Sequence, residues 1–136
     1  MATLLAHIRV HPGREAEFED VAREMHARTH ADEPGCRRYE YWRGKTPYQY
    51  YCLLAFDDYH AFLRHQASEH HEAAAPRFGE LIAEIRLEWL DPVYGASGLA
   101  QTDPQALPEG AAEAIQRAAR WFGVETQPWW RDLRED

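Results

Sequence analysis

Lysine is almost missing from this chain: of 15 basic residues only Lys45 is a lysine, and no basic cluster stands out. Acids outnumber bases by 23 to 15, giving a net charge of -8. A phosphate-binding face needs a basic excess, so nucleic acid is not expected as the main partner. No apolar run reaches the length of about 18 residues that a membrane span needs, so no membrane partner is expected. The first residues, Met1 to His7, have neither a positive n-region nor a long apolar stretch, so no signal peptide is expected and a cytoplasmic location is the expectation. There are two cysteines, Cys36 and Cys52, with no CxxC spacing, which fits a reduced compartment and argues against a thiolate metal site. They read as small buried hydrophobes. No GxGxxG follows the first apolar segment, no GxxxxGK occurs and no HExxH occurs, so neither a nucleotide cofactor nor a zinc motif has a visible cradle. No Ser-His-Asp or Cys-His arrangement follows from the spacings. The expectation is no cofactor and no metal.

What is present fits one ordinary soluble domain with a tail: 136 residues, 45% hydrophobic and 28% charged. Two biases stand out. All 8 histidines lie within the first 71 residues, and three of the 5 tryptophans follow residue 120.

Ala2 to Val10 alternates Leu4, Ala6, Ile8 and Val10 with more polar neighbours, the period of a strand. Pro12-Gly13 breaks it. A helix is predicted from about Arg14 to Thr29, with Phe18, Val21, Ala22, Met25 and Thr29 at helical spacing and acids near its start. Cys36–Arg43 and Tyr48–Phe56 are predicted strands joined by the turn residues Gly44 to Pro47, an antiparallel hairpin. Asp57 or Asp58 caps a helix from Tyr59, Ser68 caps a short second one, and Pro76 starts a third segment ending near Ala83. Glu84 to Leu90 alternates again, as a fourth strand.

The order β-α-β-β-α-β is the ferredoxin-like split βαβ arrangement, an α+β fold with a four-stranded antiparallel sheet. Both helices of that unit cover one face. Yet the third strand is apolar on both sides: Tyr50, Cys52, Leu54 and Phe56 on one, Tyr51, Leu53 and Ala55 on the other. An antiparallel strand facing water should be polar on its open side. A second copy of the sheet is the simplest cover, so a homodimer through the sheet face is expected; the chain's own tail is the other cover. That tail begins with a linker at about Val93. A helix is predicted from Pro108 to about Phe122, and Trp129-Trp130 is expected to dock. The expected division is 1–92 as the sheet domain and 93–136 as linker, helix and Trp-rich tail.

Four segments then carry a family resemblance. They are His11-Pro12-Gly13-Arg14 before a Glu-rich helix with Phe18; Glu33-Pro34-Gly35-Cys36 followed by Tyr39-Glu40; the hydrophobic third strand ending at Phe56; and Ala61-Phe62-Leu63-Arg64-His65 with Ser68-Glu69-His70-His71. In order and spacing, residues 2–92 resemble the antibiotic biosynthesis monooxygenase domain, a dimeric α+β barrel. The resemblance implies a cofactor-free oxygenase of phenolic polyketides or quinols. It also admits a signal-molecule-processing branch and a haem-degrading branch. The haem branch's asparagine, tryptophan and histidine fall on Ala6, His65 and Ala75 here, so that activity is not expected.

His65 is the candidate catalytic residue. It follows Phe62 on the helix side that should face the core, and by the resemblance that side lines a pocket between helices and sheet. A neutral imidazole there suits removal of a phenolic or enolic proton. The competing reading is a core histidine satisfied by a backbone carbonyl. Tyr39, Trp42, Tyr51, Phe56 and Phe62, with His70, are the candidate substrate-binding residues, flat walls for a small aromatic; core packing is the alternative for most of them. His70 and His71 read as a solvated helix start. His26 and His30, an i, i+4 pair, could share a metal or simply favour a helix C-terminus. His7 is expected to face the partner sheet, and Arg9, Arg37, Arg38 and Arg43 to form surface ion pairs. The expected activity is cofactor-independent oxidation of a small phenolic or quinol by dioxygen. A non-catalytic ligand-binding or structural dimer, or an isomerase of hydroxy-carbonyl metabolites, are the alternatives.

Overall fold

A computed structural model describes residues 1–134. The alternating first segment becomes the central strand β1 (Ala2–Val10), flanked antiparallel by β3 (Gln49–Phe56) and β4 (Ile82–Leu90), with β2 (Cys36–Arg43) outside β3. The sheet order is β2-β3-β1-β4. Helices α1 (Glu15–Asp32), α2 (Tyr59–Gln66) and α3 (Glu69–Leu81) supply the helical layer, and α4 (Glu113–Trp121) and α5 (Pro128–Leu133) lie in the tail. The predicted ferredoxin-like α+β arrangement is the observed one. Among the described residues no helix is long and apolar enough to cross a membrane.

The helical face of the sheet is the core side, because Leu4, Ala6, Ile8, Cys52, Leu54 and Phe56 are all buried there by strand parity. α1 closes it with the predicted stripe Phe18, Val21, Ala22, Met25 and Thr29. Phe18 is fully buried against Tyr50, with ring centroids 4.7 Å apart, a burial worth roughly 2 kcal/mol. The Asp58 carboxylate caps α2 by accepting from the Ala61 N–H at 2.7 Å. Ser68 caps α3 by accepting from the His71 N–H and donates to the His65 carbonyl at 2.7 Å, stitching the end of α2 to the start of α3.

Several expectations need correction. Pro76 does not start a new segment; α3 runs through it unbroken. Its missing N–H strands the Glu72 carbonyl, but both residues are exposed and water can serve that group. β4 begins two residues early, directly after α3, and a register shift at Arg9/Val10 absorbs the join. β3 starts at Gln49 because Tyr48 takes φ 70 in the turn, a left-handed conformation. α4 starts at Glu113 and not at Pro108, since Gly110 at φ 72 cannot continue a right-handed helix. Trp121 remains 78% exposed because α4 docks through Ala118, Ile115 and Ala119 on its other side, and Trp129 of α5, expected to dock, is 63% exposed.

Opposite parity defines the far face: Leu5, His7, Tyr51, Leu53 and Trp42 lie there, with Leu5 paired to Leu53 and His7 to Tyr51. Trp42 is 58% exposed. The tail helix α4 packs instead on α2 and the core side, where Phe122 meets Phe62.

Candidate functional site

The C-terminal end of α1 brings Glu33 beneath the start of α3. There its carboxylate accepts from His65 Nδ1 at 2.9 Å and from His70 Nε2 at 2.7 Å. A carboxylate only accepts, so the pairing sets the tautomers: His65 carries its proton on Nδ1 and His70 on Nε2. Burial pushes the Glu33 carboxyl up, but the bonds from the two imidazoles outweigh it and hold it below its ordinary value, so it stays ionised. His65 is 1% exposed and has one nitrogen committed to Glu33, so Nε2 is its remaining basic position. His70 is further placed near Thr29 Oγ1 at 3.3 Å and Ser68 Oγ at 3.4 Å.

The His65 ring borders a cavity of about 320 Å³ between sheet and helices. Ala6, Ile8, Tyr39, Tyr41, Cys52 and Leu54 make its floor; Gln66, His71 and Phe78 are on the helical side, and Phe122 comes from the tail. Among the described lining residues none is Asp, Glu, Lys or Arg. Burial, reinforced by its imidazole neighbours His65 and His70, lowers His71 to about 4, so it is neutral at ordinary pH. Tyr39 and Tyr41 share a hydroxyl hydrogen bond of 2.8 Å, and burial raises both phenols well above their usual range. Burial raises the Cys52 thiol to about 12. The site therefore offers one positioned imidazole base among neutral walls, suited to removing a proton from an uncharged aromatic.

None of three larger grooves has a buried histidine, and two of them hold ion pairs. One of about 540 Å³, beside α1, is flanked by the Glu19–Arg43 ion pair at 2.6 Å, and one of about 590 Å³, under α5, contains the Asp91–Arg134 pair at 2.6 Å. Both present paired charges and no buried histidine.

The sequence-derived candidates separate by strand parity and depth. Tyr39 lines the cavity with His65, their ring centroids 5.0 Å apart. Phe56 and Phe62 sit behind His65 as packing, Phe56 at 5.0 Å from its ring. His70 holds Glu33 and does not border the cavity. Trp42 and Tyr51 lie on the far face, away from His65. The expected solvated start of α3 is corrected: His70 is bonded to Glu33 and His71 faces the cavity. His30 donates to the Tyr39 carbonyl at 3.1 Å, and the exposed His26 ring lies 4.3 Å from the His30 ring. His7 bonds Glu88 at 2.8 Å on the far face. Arg9, Arg37, Arg38 and Arg43 pair with Glu84, Asp57, Glu40 and Glu19.

Glu33 is the residue that sequence reasoning passed over. It stood inside a motif, but its role depends on two histidines 32 and 37 positions away. Tyr41 was within reach: it shares parity with Tyr39, as Trp42 does not. No metal was expected from the sequence, yet donor atoms of Glu33, His65 and His70 lie within 4.8 Å of one another. A divalent cation would fit there only by displacing both imidazole protons from the hydrogen-bonded arrangement.

Comparison with known proteins converges on one family. No curated protein matches the chain. Among solved structures, a Caulobacter crescentus protein provisionally assigned as an antibiotic biosynthesis monooxygenase is 32% identical, with TM-score 0.64, covering 68% of this chain and 89% of its own. Protein PA3566 of Pseudomonas aeruginosa is 26% identical, with TM-score 0.60 over 65% of this chain and 90% of its own. Rv0793 of Mycobacterium tuberculosis, 21% identical with TM-score 0.64 over 71% and 98%, shares the fold. The model of the antibiotic biosynthesis monooxygenase family itself matches residues 1–77, and the chain is a member of that family.

Proposed function

We propose that this protein is a cofactor-independent monooxygenase that oxidises a small phenolic, quinol- or anthrone-type compound with dioxygen. Family membership supports the coarse reading, a monooxygenase-like activity on small molecules. The finer reading is carried by one observation: the buried His65, held by Glu33 through Nδ1 and with Nε2 left over, borders an uncharged, tyrosine-floored cavity of about 320 Å³.

In this scheme a neutral aromatic enters between Tyr39 and the helices. His65 Nε2 removes the acidic proton, and Glu33 stabilises the imidazolium that results. The substrate carbanion passes electrons to dioxygen and a C–O bond forms. Return of the proton gives a hydroperoxide. Loss of water then breaks the O–O bond and leaves a carbonyl. A CH₂ group becomes C=O while dioxygen ends as that oxygen plus water, so both atoms and electrons balance. The apolar walls keep bulk water from the reactive anion.

The exposed Trp42 and the Leu5–Leu53 pair on the far face support a homodimer formed sheet to sheet. An open cavity beside His65 favours a ligand-handling role over a purely structural dimer. The test is oxygen uptake with a panel of quinols and anthrones. His65→Ala is expected to lose about 100-fold or more in kcat. Turnover unchanged in His65→Ala, or product formed equally well without oxygen, would sink the proposal; the latter outcome would point to isomerisation.

A further inference from the structure

The family match ends at residue 77, yet the cavity wall is completed from far beyond it. Phe122, at the C-cap of α4, borders the cavity beside Ile85 and Leu87 of β4. It is tied down at three points. The Tyr59 hydroxyl of α2 donates to the Phe122 carbonyl at 2.7 Å. The Trp89 indole N–H of β4 donates to the Gly123 carbonyl at 2.9 Å. The Phe122 ring meets Phe62 edge to face at 5.8 Å. A nine-residue helix such as α4 is marginal in isolation, so docking is what keeps it formed. Ala118, 8% exposed, fills the contact one turn earlier. Two successive carbonyls at a helix end, which would otherwise lack partners, are thus taken up by side chains of the elements that frame the cavity.

We propose that the C-terminal extension is part of the substrate site, with Phe122 as the wall that sets how large an aromatic ring system the cavity admits. The floor is a paired sheet and the helical side is fixed by the Ser68 and Glu33 bonds, so neither can yield much. The β4 side is different. Ile85 there is 57% exposed, and Phe122 arrives from a separate segment. An uncharged lining discriminates by shape, and a single ring at the rim is the bulk that decides shape. This inference rests on the reading of the cavity as an aromatic-binding site.

The experiment measures binding of two neutral probes, 1-naphthol with two fused rings and anthrone with three, by equilibrium dialysis. The full chain is compared with Phe122→Ala, Phe122→Leu and Tyr59→Phe, each checked for folding by circular dichroism. Phe122→Ala is expected to shift the affinity ratio about tenfold toward anthrone. Tyr59→Phe frees the anchoring carbonyl but leaves the ring, and is expected to shift the ratio the same way more weakly. If Phe122→Ala does not fold, Phe122→Leu and Tyr59→Phe decide. An unchanged ratio in the folded variants overturns the proposal. A shifted ratio without oxygen consumption would overturn the monooxygenase reading and leave this inference standing. Turnover with an unchanged ratio would do the reverse, and binding of neither probe by the native chain would end both.

Discussion

His71 provides a stability test that does not depend on catalysis. Its imidazole lies at the cavity wall, where burial and the neighbouring His65 and His70 rings outweigh the attraction of Glu33 and lower it from 6.5 to about 4. Between those values the unfolded chain binds a proton that the native chain refuses, so stability is full above the upper value and falls as pH drops through the window. At ~1.4 kcal/mol per pH unit, the whole window is worth about 3 kcal/mol, a large share of the roughly 5–15 kcal/mol that holds a typical domain together. The perturbation is His71→Gln, which keeps a polar side chain but cannot titrate. Urea unfolding of both chains, followed by circular dichroism across that window, gives the difference in stability at each pH. The native chain should lose about 3 kcal/mol relative to the variant between its upper and lower ends. Glu33 adds its own acid sensitivity, since a carboxyl held below its ordinary 4.5 stabilises above that value and loses the contribution as pH falls further. That loss is common to both chains and cancels in the difference. Parallel curves for native and variant through the window would refute the burial of a neutral His71.

Glu33→Gln removes the carboxylate that sets the His65 tautomer; kcat is expected to fall by about 100-fold or more with little change in KM, and to add nothing in a His65→Ala background. An additive loss in the double variant would mean that Glu33 acts elsewhere. Burial raises the Cys36 and Cys52 thiols to about 11 and about 12, so Ellman's reagent at about pH 8 should find both silent until the chain is unfolded. Rapid native labelling of Cys52 would refute the burial that raises its thiol. Leu53→Glu puts a charge on the apolar Leu5–Leu53 centre of the far face, and sedimentation equilibrium should change from twice the chain mass of 15.8 kDa to that mass itself. A native chain already at the single mass removes the sheet-to-sheet dimer.

Local pattern alone determined most of the elements, though not the run of α3 through Pro76 or the starts of β4 and α4. The period of two in Ala2–Val10, the 3.6 spacing from Phe18 to Thr29, and Asp58 and Ser68 as caps all encode their geometry within a few residues, and each is found where the sequence put it. His65 as an inward residue followed from the same logic, because helical spacing from Phe62 is a local property. Parity could have sorted Tyr39 and Tyr41 from Trp42 and Tyr51, since neighbours on a strand face opposite ways. What only the tertiary structure decided is the meeting of distant segments. Glu33 reaches His65 and His70 because α1 ends beside the turn between α2 and α3. Phe122 reaches the cavity because Tyr59 and Trp89 capture consecutive carbonyls of the tail. Such contacts leave no periodic trace in the chain. They arise when packing brings together buried groups that need hydrogen-bond partners, and the nearest partners are set by three-dimensional closeness, not by sequence separation.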